Sequence, residues 1–192
     1  MKAGTQSRGF TLFELMIVVV VMLIVMTIAL PSFMTSYRTY RVGSAVRDVA
    51  NILGRTRYEA VRANRPTSSV YLFDAVNNVH QLGVDLDNNG QLDQNEPRIV
   101  LPREITLIQP ANAGPFLAQA ATMGAGFQNQ AVPLNFVMTF NERGTMVPLP
   151  GGAAIAAFFL QDTAGNRAAV TIMPMGSVGT WRATSYQPTW HH

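Results

Sequence analysis

The feature that most constrains this chain is an apolar run near its N-terminus. From Phe10 to Leu30 there are twenty-one residues, and only Glu14 is charged. An α-helix rises about 1.5 Å per residue, so this run would be about 30 Å long, the thickness of a bilayer's hydrocarbon core. The sequence therefore predicts a membrane-spanning helix at the start of the chain.

Glu14 is the unfavourable residue in this run. A carboxylate in the hydrocarbon core costs roughly 2.5–3.5 kcal/mol on insertion scales, so it needs a partner or a place near the interface. A cut between Gly9 and Phe10 would create an α-amino group four residues before Glu14. The amine of one copy and the acid of another would then lie at one membrane depth and could pair when helices stack with an axial offset.

The segment Arg8-Gly9-Phe10-Thr11-Leu12-Phe13-Glu14-Leu15 resembles the class III signal of type IV pilins and type II secretion pseudopilins. The resemblance implies that a prepilin peptidase cuts after Gly9 and methylates the amine of Phe10. It also implies that Glu14 is the assembly residue, paired with a neighbour's amine, and that Pro31 is a helix-kinking proline.

Two alternatives for the membrane run follow from its residues. Thr27-Ile28-Ala29 has the small-x-small form of a secretory signal-peptidase site, and a cut there would release a soluble protein. A plain single-pass anchor without an assembly role would also fit the length. The acid within the apolar region argues against the secretory signal, as does Pro31 just past the cut.

The chain divides into four predicted parts. They are the leader peptide 1–9, the transmembrane and assembly helix 10–30, an amphipathic continuation 31–65 and a β-rich domain 66–192. The continuation has an apolar stripe at helical spacing, made of Val46, Val49, Ala50, Leu53, Ala60 and Val61. The helix is expected to run from Phe10 to Asn64, where breakers return.

The remainder of the chain reads as short strands separated by turn signals. They are Ser69–Asp74, Val79–Val84, Arg98–Leu101, Ile105–Gln109, Asn135–Phe140, Ala154–Gln161, Ala168–Met173 and Val178–Thr184. This predicts an α+β fold in which the long helix packs on an antiparallel β-sheet domain. The sequence Arg57–Arg62 before a strand, with the later hairpins, is similar to the GspH/FimT group of minor pilins, which implies a type IV pilin-like fold. Residues 111–133 are predicted to be a long loop.

A second motif lies between two predicted strands, in residues 85–96. It has the twelve-residue spacing of a calcium-binding EF-hand loop, with oxygen ligands at fixed positions and Gly90 at the sharp turn. The candidate calcium ligands are Asp85, Asp87, Asn89, Gln91 through its backbone carbonyl, Asp93 and Glu96. Flanking strands are the wrong context for a true EF-hand, so the alternative is a polar hairpin whose Asn and Gly residues supply turn geometry.

Composition limits the remaining classes of function. There is no cysteine among 192 residues, so an envelope-exposed domain would be held by its core or a metal rather than by disulfides. The net charge is +3, and loss of Lys2 and Arg8 with the leader leaves 12 basic and 11 acidic side chains, which is weak evidence for nucleic acid. No catalytic constellation is visible, and His80 stands alone in a strand.

Two further groups of residues are candidate contacts for an acidic partner. The helix carries seven arginines beyond Tyr37 against two acids, which predicts a solvated face with juxtamembrane anchoring, or alternatively a track for DNA or a neighbouring pilin. Some FimT-like pilins bind DNA through a Gly-Arg-x-Arg motif in their last strands. The nearest match here ends in Trp181 and Arg182 and lacks the first arginine. These two residues are the DNA candidates, through phosphate contact and base stacking.

The sequence thus predicts a minor pilin or pseudopilin, a non-enzymatic structural or priming subunit of a type IV pilus or type II secretion pseudopilus. The expected partners are other pilin subunits, prepilin peptidase, an inner-membrane assembly platform and the lipid bilayer. The chain would cross the inner membrane with its N-terminus cytoplasmic and its C-terminal domain periplasmic, and then enter the fibre. The alternatives are a DNA-binding minor pilin for natural transformation and a membrane-anchored calcium-binding module outside any fibre.

Overall fold

The computed structural model describes residues 10–108, 137–148 and 156–183. The predicted leader 1–9, the loop 111–133 and the terminal residues His191 and His192 lie outside these ranges. Within them the chain begins with a single helix, α1 (Leu12–Ala63), of 52 residues. The predicted membrane run and its amphipathic continuation are therefore one uninterrupted helix, within two residues of the expected bounds.

Among the described residues, eight strands follow α1, each overlapping one predicted segment. They are β1 (Thr67–Asp74), β2 (Val79–Asp85), β3 (Arg98–Val100), β4 (Ile105–Ile108), β5 (Val137–Phe140), β6 (Ala156–Asp162), β7 (Arg167–Ile172) and β8 (Val178–Ala183). They form two four-stranded sheets, in the orders β3-β2-β1-β5 and β4-β6-β7-β8. Every pairing is antiparallel, as the turn spacing predicted.

One hydrophobic core joins the second half of α1 to both sheets. Its largest fully buried side chains include Tyr71 from β1, Phe140 from β5 and Phe158 from β6. On the helix, Val46 and Leu53 are fully buried against this cluster. The predicted α+β architecture, a long N-terminal helix packed on antiparallel sheet, is confirmed.

The buried stripe of α1 differs from the predicted one in two ways: its last predicted residue is exposed, and it contains four further residues. Val61 is 51% exposed, whereas Val42, Ala45, Ile52 and Thr56 are buried and were not part of the prediction. Buried residues on α1 recur three and four apart, as a core-facing helix requires. Val61 lies at the helix end and off this face, so its apolar character alone was a poor guide to its burial.

The C-terminus of α1 is closed by a left-handed cap. Asn64 has a φ of 49°, and its N–H donates to the Val61 carbonyl, while the Arg65 N–H donates to the Ala60 carbonyl. This pair of bonds is the Schellman pattern, which satisfies carbonyls that have no partner within the helix. The next residue, Pro66, cannot continue a helix, and the chain enters β1 directly.

Arg57 ties α1 to the turns that follow β5 and β7. Its Nε–H donates to the Gly144 carbonyl at 2.9 Å. Gly144 and Gly176 have φ values of 72° and 77°, a region that favours glycine. A Cβ placed on Gly176 would lie 2.1 Å from the Gly144 oxygen, so the two turns meet at a distance that only glycine allows.

Candidate functional site

The first turn of α1 is capped by Thr11. The backbone N–H of Glu14 donates to Thr11 Oγ1 at 3.2 Å, and the Leu15 N–H donates to the Thr11 carbonyl at 3.2 Å. Thr11 is therefore the N-cap residue, with Glu14 three residues later, as in a capping box. The sequence analysis missed this role of Thr11, although the Thr-x-x-Glu spacing was its signal.

The helix that carries Glu14 exposes its apolar side chains throughout its first half. Every side chain from Phe10 to Arg38 is exposed, and Glu14 is the only charged residue from Phe10 to Tyr37. Among the described residues, α1 is the one helix whose length and composition would let it cross a membrane. An exposed apolar surface of this extent needs lipid or other helices to cover it.

Pro31 lies inside α1 without ending it. Proline has no N–H, so the carbonyl four residues earlier, that of Thr27, loses its helical partner. The Thr27 hydroxyl donates to the Ile24 carbonyl at 2.7 Å, and the Thr35 hydroxyl donates to the Pro31 carbonyl at 3.0 Å. A bend at Pro31 stays a prediction, and the structure shows a helix that accommodates the proline.

The loop between β2 and β3 brings together three of the six predicted calcium ligands. Carboxylate oxygens of Asp85, Asp87 and Glu96 lie within 4.8 Å of one another. Asp85 and Glu96 are buried, at 1% and 8% exposure, whereas Asp87 is exposed. Oxygens converging at this spacing, two of them shielded from water, can be bridged by a hard divalent cation.

Backbone N–H groups hold these carboxylates in place. Asp85 accepts from the N–H of Asn89 at 3.2 Å and of Gly90 at 2.8 Å. Glu96 accepts from the Leu86 N–H through Oε1 and from the Asp93 N–H at 2.9 Å through Oε2. Gly90 has a φ of 77°, so the glycine predicted at the sharp turn does make that turn.

The other three predicted ligands lie around this group. The Asn89 side-chain amide donates to Asp87 at 3.0 Å and to Asp93 at 3.1 Å, and so links the two exposed carboxylates. The N–H of Gln91 donates to Asn89 Oδ1 at 2.7 Å. Asp93 is therefore connected to Asp87 through the Asn89 side chain, although its carboxylate is not one of the three that lie close to one another.

Electrostatics of the loop favour a cation. Burial raises the pKa of Asp85 above its ordinary value, and the neighbouring Asp87 side chain acts in the same direction, against hydrogen bonds from Gly90 and Asn89 that lower it. A raised pKa means that ionised Asp85 is held at a cost in the folded protein. A cation between Asp85, Asp87 and Glu96 would offset that cost, because it stabilises the ionised forms.

Two residues that the sequence analysis did not single out fasten this loop to the end of α1. The Arg65 guanidinium donates to the Leu86 carbonyl, and the Asn88 side-chain amide donates to the Pro66 carbonyl at 2.7 Å. Asn88 has a φ of 60°, a conformation that Asn tolerates better than most residues. These long-range contacts have no signal in the local sequence.

The two candidate DNA residues do not converge. Trp181 and Arg182 are consecutive in β8, and successive side chains of a strand point to opposite faces of its sheet. Trp181 Nε1–H donates to Thr171 Oγ1 at 3.0 Å. Arg182 lies against α1, where a Cβ on Gly43 would be 3.1 Å from its guanidinium carbon. A joint site for a phosphate and its stacked base therefore has no support in this geometry.

His80 is a buried side chain that the sequence left undecided. It is 8% exposed and shares a hydrogen bond with buried Tyr71, whose hydroxyl meets His80 Nδ1. The Phe73 ring lies 4.8 Å from the imidazole, centroid to centroid. Burial lowers the pKa of His80 below its ordinary 6.5 and raises the pKa of Tyr71 to about 12. Neutral His80 can accept from the Tyr71 O–H through Nδ1.

This burial predicts acid destabilisation of the β domain. The unfolded chain takes up a proton at His80 near pH 6.5, whereas the folded chain does so only at a lower pH. Stability is then fully present above about pH 6.5 and falls as the pH drops towards the folded pKa, with a slope of at most about 1.4 kcal/mol per pH unit. Urea titrations across this range test it. His80→Gln should flatten the dependence, and an unchanged slope in that variant would assign the effect to other groups.

Comparisons with known proteins found similar crystal structures and a matching family profile. Two crystal structures of the type IV minor pilin FimU from Pseudomonas aeruginosa (strain PAO1) are similar to the chain at 15% identity. One alignment covers 72% of this chain and 90% of FimU with a TM-score of 0.47, and the other covers 72% and 86% with a TM-score of 0.48. No curated protein sequence matches the chain. A family profile described as the prokaryotic N-terminal methylation motif matches residues 5–30, so this chain carries the N-terminal methylation motif of type IV pilins.

Proposed function

We propose that this chain is a minor pilin or pseudopilin, a structural subunit of a membrane-derived fibre with no catalytic role. The observation that carries the proposal is the methylation motif matched by residues 5–30, together with the exposed apolar first half of α1, in which Glu14 is the one acid. Such a helix needs an apolar environment at every stage. Lipid supplies it before assembly, and neighbouring helices supply it in a fibre.

The proposed sequence of events follows from the placement of Glu14. The chain inserts into the inner membrane with its N-terminus cytoplasmic and its β domain periplasmic. Prepilin peptidase cuts after Gly9 and methylates Phe10. The free amine of one subunit then lies at the depth of Glu14 in an axially offset neighbour, and the pair removes the cost of an isolated carboxylate in the membrane. An inner-membrane assembly platform moves the paired subunit into the fibre.

Mass spectrometry of the mature chain tests this proposal. The protein is purified from the membrane and from sheared fibres of a cell that expresses it. A chain beginning at N-methylated Phe10 in both fractions is expected. A mature protein beginning at Leu30 would identify a secretory signal, and an intact Met1 would identify a plain anchor. Either of these results would reject the pilin proposal.

We further propose that the Asp85–Glu96 loop binds calcium. Its support is the convergence of the Asp85, Asp87 and Glu96 carboxylates within 4.8 Å. Extracellular calcium modules work at dissociation constants of about 10⁻⁴–10⁻³ M, so even a weak site would fill outside the cytoplasm. Because the chain has no cysteine, the cation would restrain the loop where other envelope domains use disulfides.

Thermal unfolding of the full chain in detergent tests the calcium site. With calcium at about ten times the dissociation constant, the folded state gains about 1.4 kcal/mol over chelator, which raises Tm by roughly 3–6 °C. Asp87→Asn should abolish the shift, since it removes one charge from an exposed ligand. Asp74→Asn is the matched control, because Asp74 caps the unrelated β1–β2 turn through the Val76 and Asn77 N–H groups. Equal melting of wild type with calcium and with chelator would reject the site.

A further inference from the structure

The charged side chains beyond the apolar run are unevenly distributed over the protein. From residue 10 onward all 12 arginines and 11 acids lie among the described residues. Five arginines lie at the end of the β domain where the buried stripe of α1 begins, with two acids, Glu104 and Asp162. We call this group the basic end, and it consists of Arg38, Arg41, Arg103, Arg167 and Arg182. With Glu14 set aside, the other seven arginines are nearly balanced by eight acids.

The antiparallel register of the second sheet brings three of these arginines to one end. β4 begins at Ile105, which is opposite Asp162 at the end of β6. β7 begins at Arg167, beside the end of β8 that holds Arg182. Arg103 lies two residues before β4, in an exposed turn. Arg103, Arg167 and Arg182 are therefore far apart in the sequence but share one end of the sheet.

Two contacts join the start of the buried stripe of α1 to the same end. The Arg41 guanidinium forms an ion pair with Glu104 at 2.8 Å. A Cβ placed on Gly43 would lie 3.1 Å from the guanidinium carbon of Arg182. Glycine weakens a helix interior, and here the missing side chain leaves room for a guanidinium against the helix. Arg38, one turn before Arg41, is exposed beside this group.

Both acids of the basic end are already engaged within the subunit. Glu104 pairs with Arg41. Asp162 is buried and accepts hydrogen bonds from the Ala164 N–H at 2.9 Å, the Asn166 N–H at 2.8 Å and the Asn166 side-chain amide at 2.7 Å. The group keeps an excess of positive charge, and like charges gathered at one end repel. An anion relieves that repulsion, and the planar guanidinium suits phosphate because it can donate two hydrogen bonds to it.

Connectivity keeps this end close to the apolar run. Arg38 is the first charged residue after Glu14 and follows Leu30 by eight residues, which is about 12 Å along a helix. The headgroup layer extends about 5–8 Å beyond the hydrocarbon core on each side, and charges act over about 8 Å more at physiological salt. Phe33 and Tyr37 are exposed just before Arg38, with their rings stacked 6.5 Å apart. Such aromatic side chains are typical of the membrane–water interface.

We propose that the basic end binds anionic phospholipid head groups of the bilayer that holds α1, an inference that rests on the proposed membrane-anchored state of the pilin. The anchor gives the head groups a high effective concentration at the arginines, so a weak phosphate site is filled. DNA and acidic proteins lack this advantage, because they must reach the site from solution. The contact would hold the β domain at the membrane before assembly and would be given up when the subunit leaves the bilayer.

Lipid selectivity of the full-length chain tests this proposal. The chain is placed in nanodiscs with equal amounts of phosphatidylglycerol and phosphatidylcholine, and native mass spectrometry counts the lipids that stay bound on release. Wild type should favour phosphatidylglycerol by about fivefold or more, since each arginine near a membrane surface contributes roughly that factor. Arg38→Gln with Arg182→Gln should bring the ratio close to one.

The matched control is Arg55→Gln with Arg143→Gln, which removes the same charge from exposed positions outside the basic end. This pair should keep the wild-type ratio. A ratio near one in wild type, an unchanged ratio without Arg38 and Arg182, or an equal loss in both variants would overturn the proposal. Displacement of the bound phosphatidylglycerol by duplex DNA would also overturn it, because the surface would then belong to nucleic acid.

Fluorescence quenching by lipids with a nitroxide on the head group locates the contact. The chain has no cysteine, so Thr163→Cys in the exposed β6–β7 turn carries one label at the basic end. Asn95→Cys labels the β2–β3 loop, which is fastened near Arg65, about 40 Å along the helix from Arg38. Quenching at residue 163 should rise about twofold with phosphatidylglycerol and fall in about 0.5 M sodium chloride. Equal quenching at both labels would contradict the proposal.

The N-terminus of the same preparation separates this inference from the proposed function. A chain that begins at N-methylated Phe10 without lipid selectivity rejects the lipid contact alone. An intact Met1 with selectivity rejects the pilin proposal and supports the contact. A chain that begins at Leu30 has lost its anchor, and that result would reject both.

Discussion

Gly176→Ala is expected to destabilise the β domain by about 3 kcal/mol or more. Two costs add at this position. The left-handed backbone, with a φ of 77°, costs a non-glycine residue roughly 1–2 kcal/mol. The new Cβ would also lie 2.1 Å from the Gly144 carbonyl oxygen and 2.9 Å from Arg57 Nε, so the turn must move and the Arg57 hydrogen bond to Gly144 is lost.

Gly165→Ala is the matched control for this variant. Gly165 has a φ of 85°, also left-handed, but a Cβ there would meet nothing within 4 Å among the described residues. It should lose only the conformational cost, about 1–2 kcal/mol. Urea titrations of both variants, followed by tryptophan fluorescence, measure the difference. Equal losses at the two positions would mean that the turns adjust freely and that Arg57 does not fix them.

Much of this fold was predictable from local pattern. Strands such as β1 and β7 lie within two residues of their predicted bounds, because alternating side chains between turn residues are a short-range signal. The left-handed residues Asn78, Gly144 and Gly165 all fall between predicted strands, where the sequence analysis expected turns. The division of the strands into two sheets was not predicted, since strand order depends on contacts far apart in the sequence.

The sequence predicted part of the geometry of the candidate calcium loop, but it did not predict where the two candidate DNA residues lie. In the Asp85–Glu96 loop, the spacing of the oxygen-bearing residues and the glycine at position 90 predicted that the carboxylates of Asp85, Asp87 and Glu96 lie close together. This was possible because the geometry of such a loop is determined by twelve consecutive residues. Its attachment to α1 through Arg65 and Asn88 was not accessible, since it joins residues about twenty positions apart. The weakest prediction was that Trp181 and Arg182 together form a DNA-binding site. Adjacent positions in a strand diverge, and strand assignment alone could have excluded a shared site.

Glu14→Gln is expected to lower incorporation into fibres by at least tenfold while leaving membrane insertion and cleavage after Gly9 intact. Glutamine keeps the shape of the side chain and removes its charge, so it cannot neutralise a neighbour's amine. Breaking a desolvated ion pair by removing one partner costs about 3–5 kcal/mol, and each 1.4 kcal/mol is a factor of ten in an equilibrium. Insertion should become easier, because the one charge in the apolar run is gone.

A position swap separates the geometry of the pair from the mere presence of an acid. Glu14→Leu with Leu15→Glu keeps composition and net charge, but it moves the carboxylate about 100° around the helix and 1.5 Å along it. Thr11 still accepts from the backbone N–H of residue 14, so the cap is retained in every variant. The fraction of processed chain in sheared fibres is measured against the fraction in the membrane. The swap should fail like Glu14→Gln, because its acid faces away from the amine of the neighbour. Wild-type incorporation of the swap would show that any acid at this depth suffices, and wild-type incorporation of both variants would remove the ion pair from the assembly mechanism.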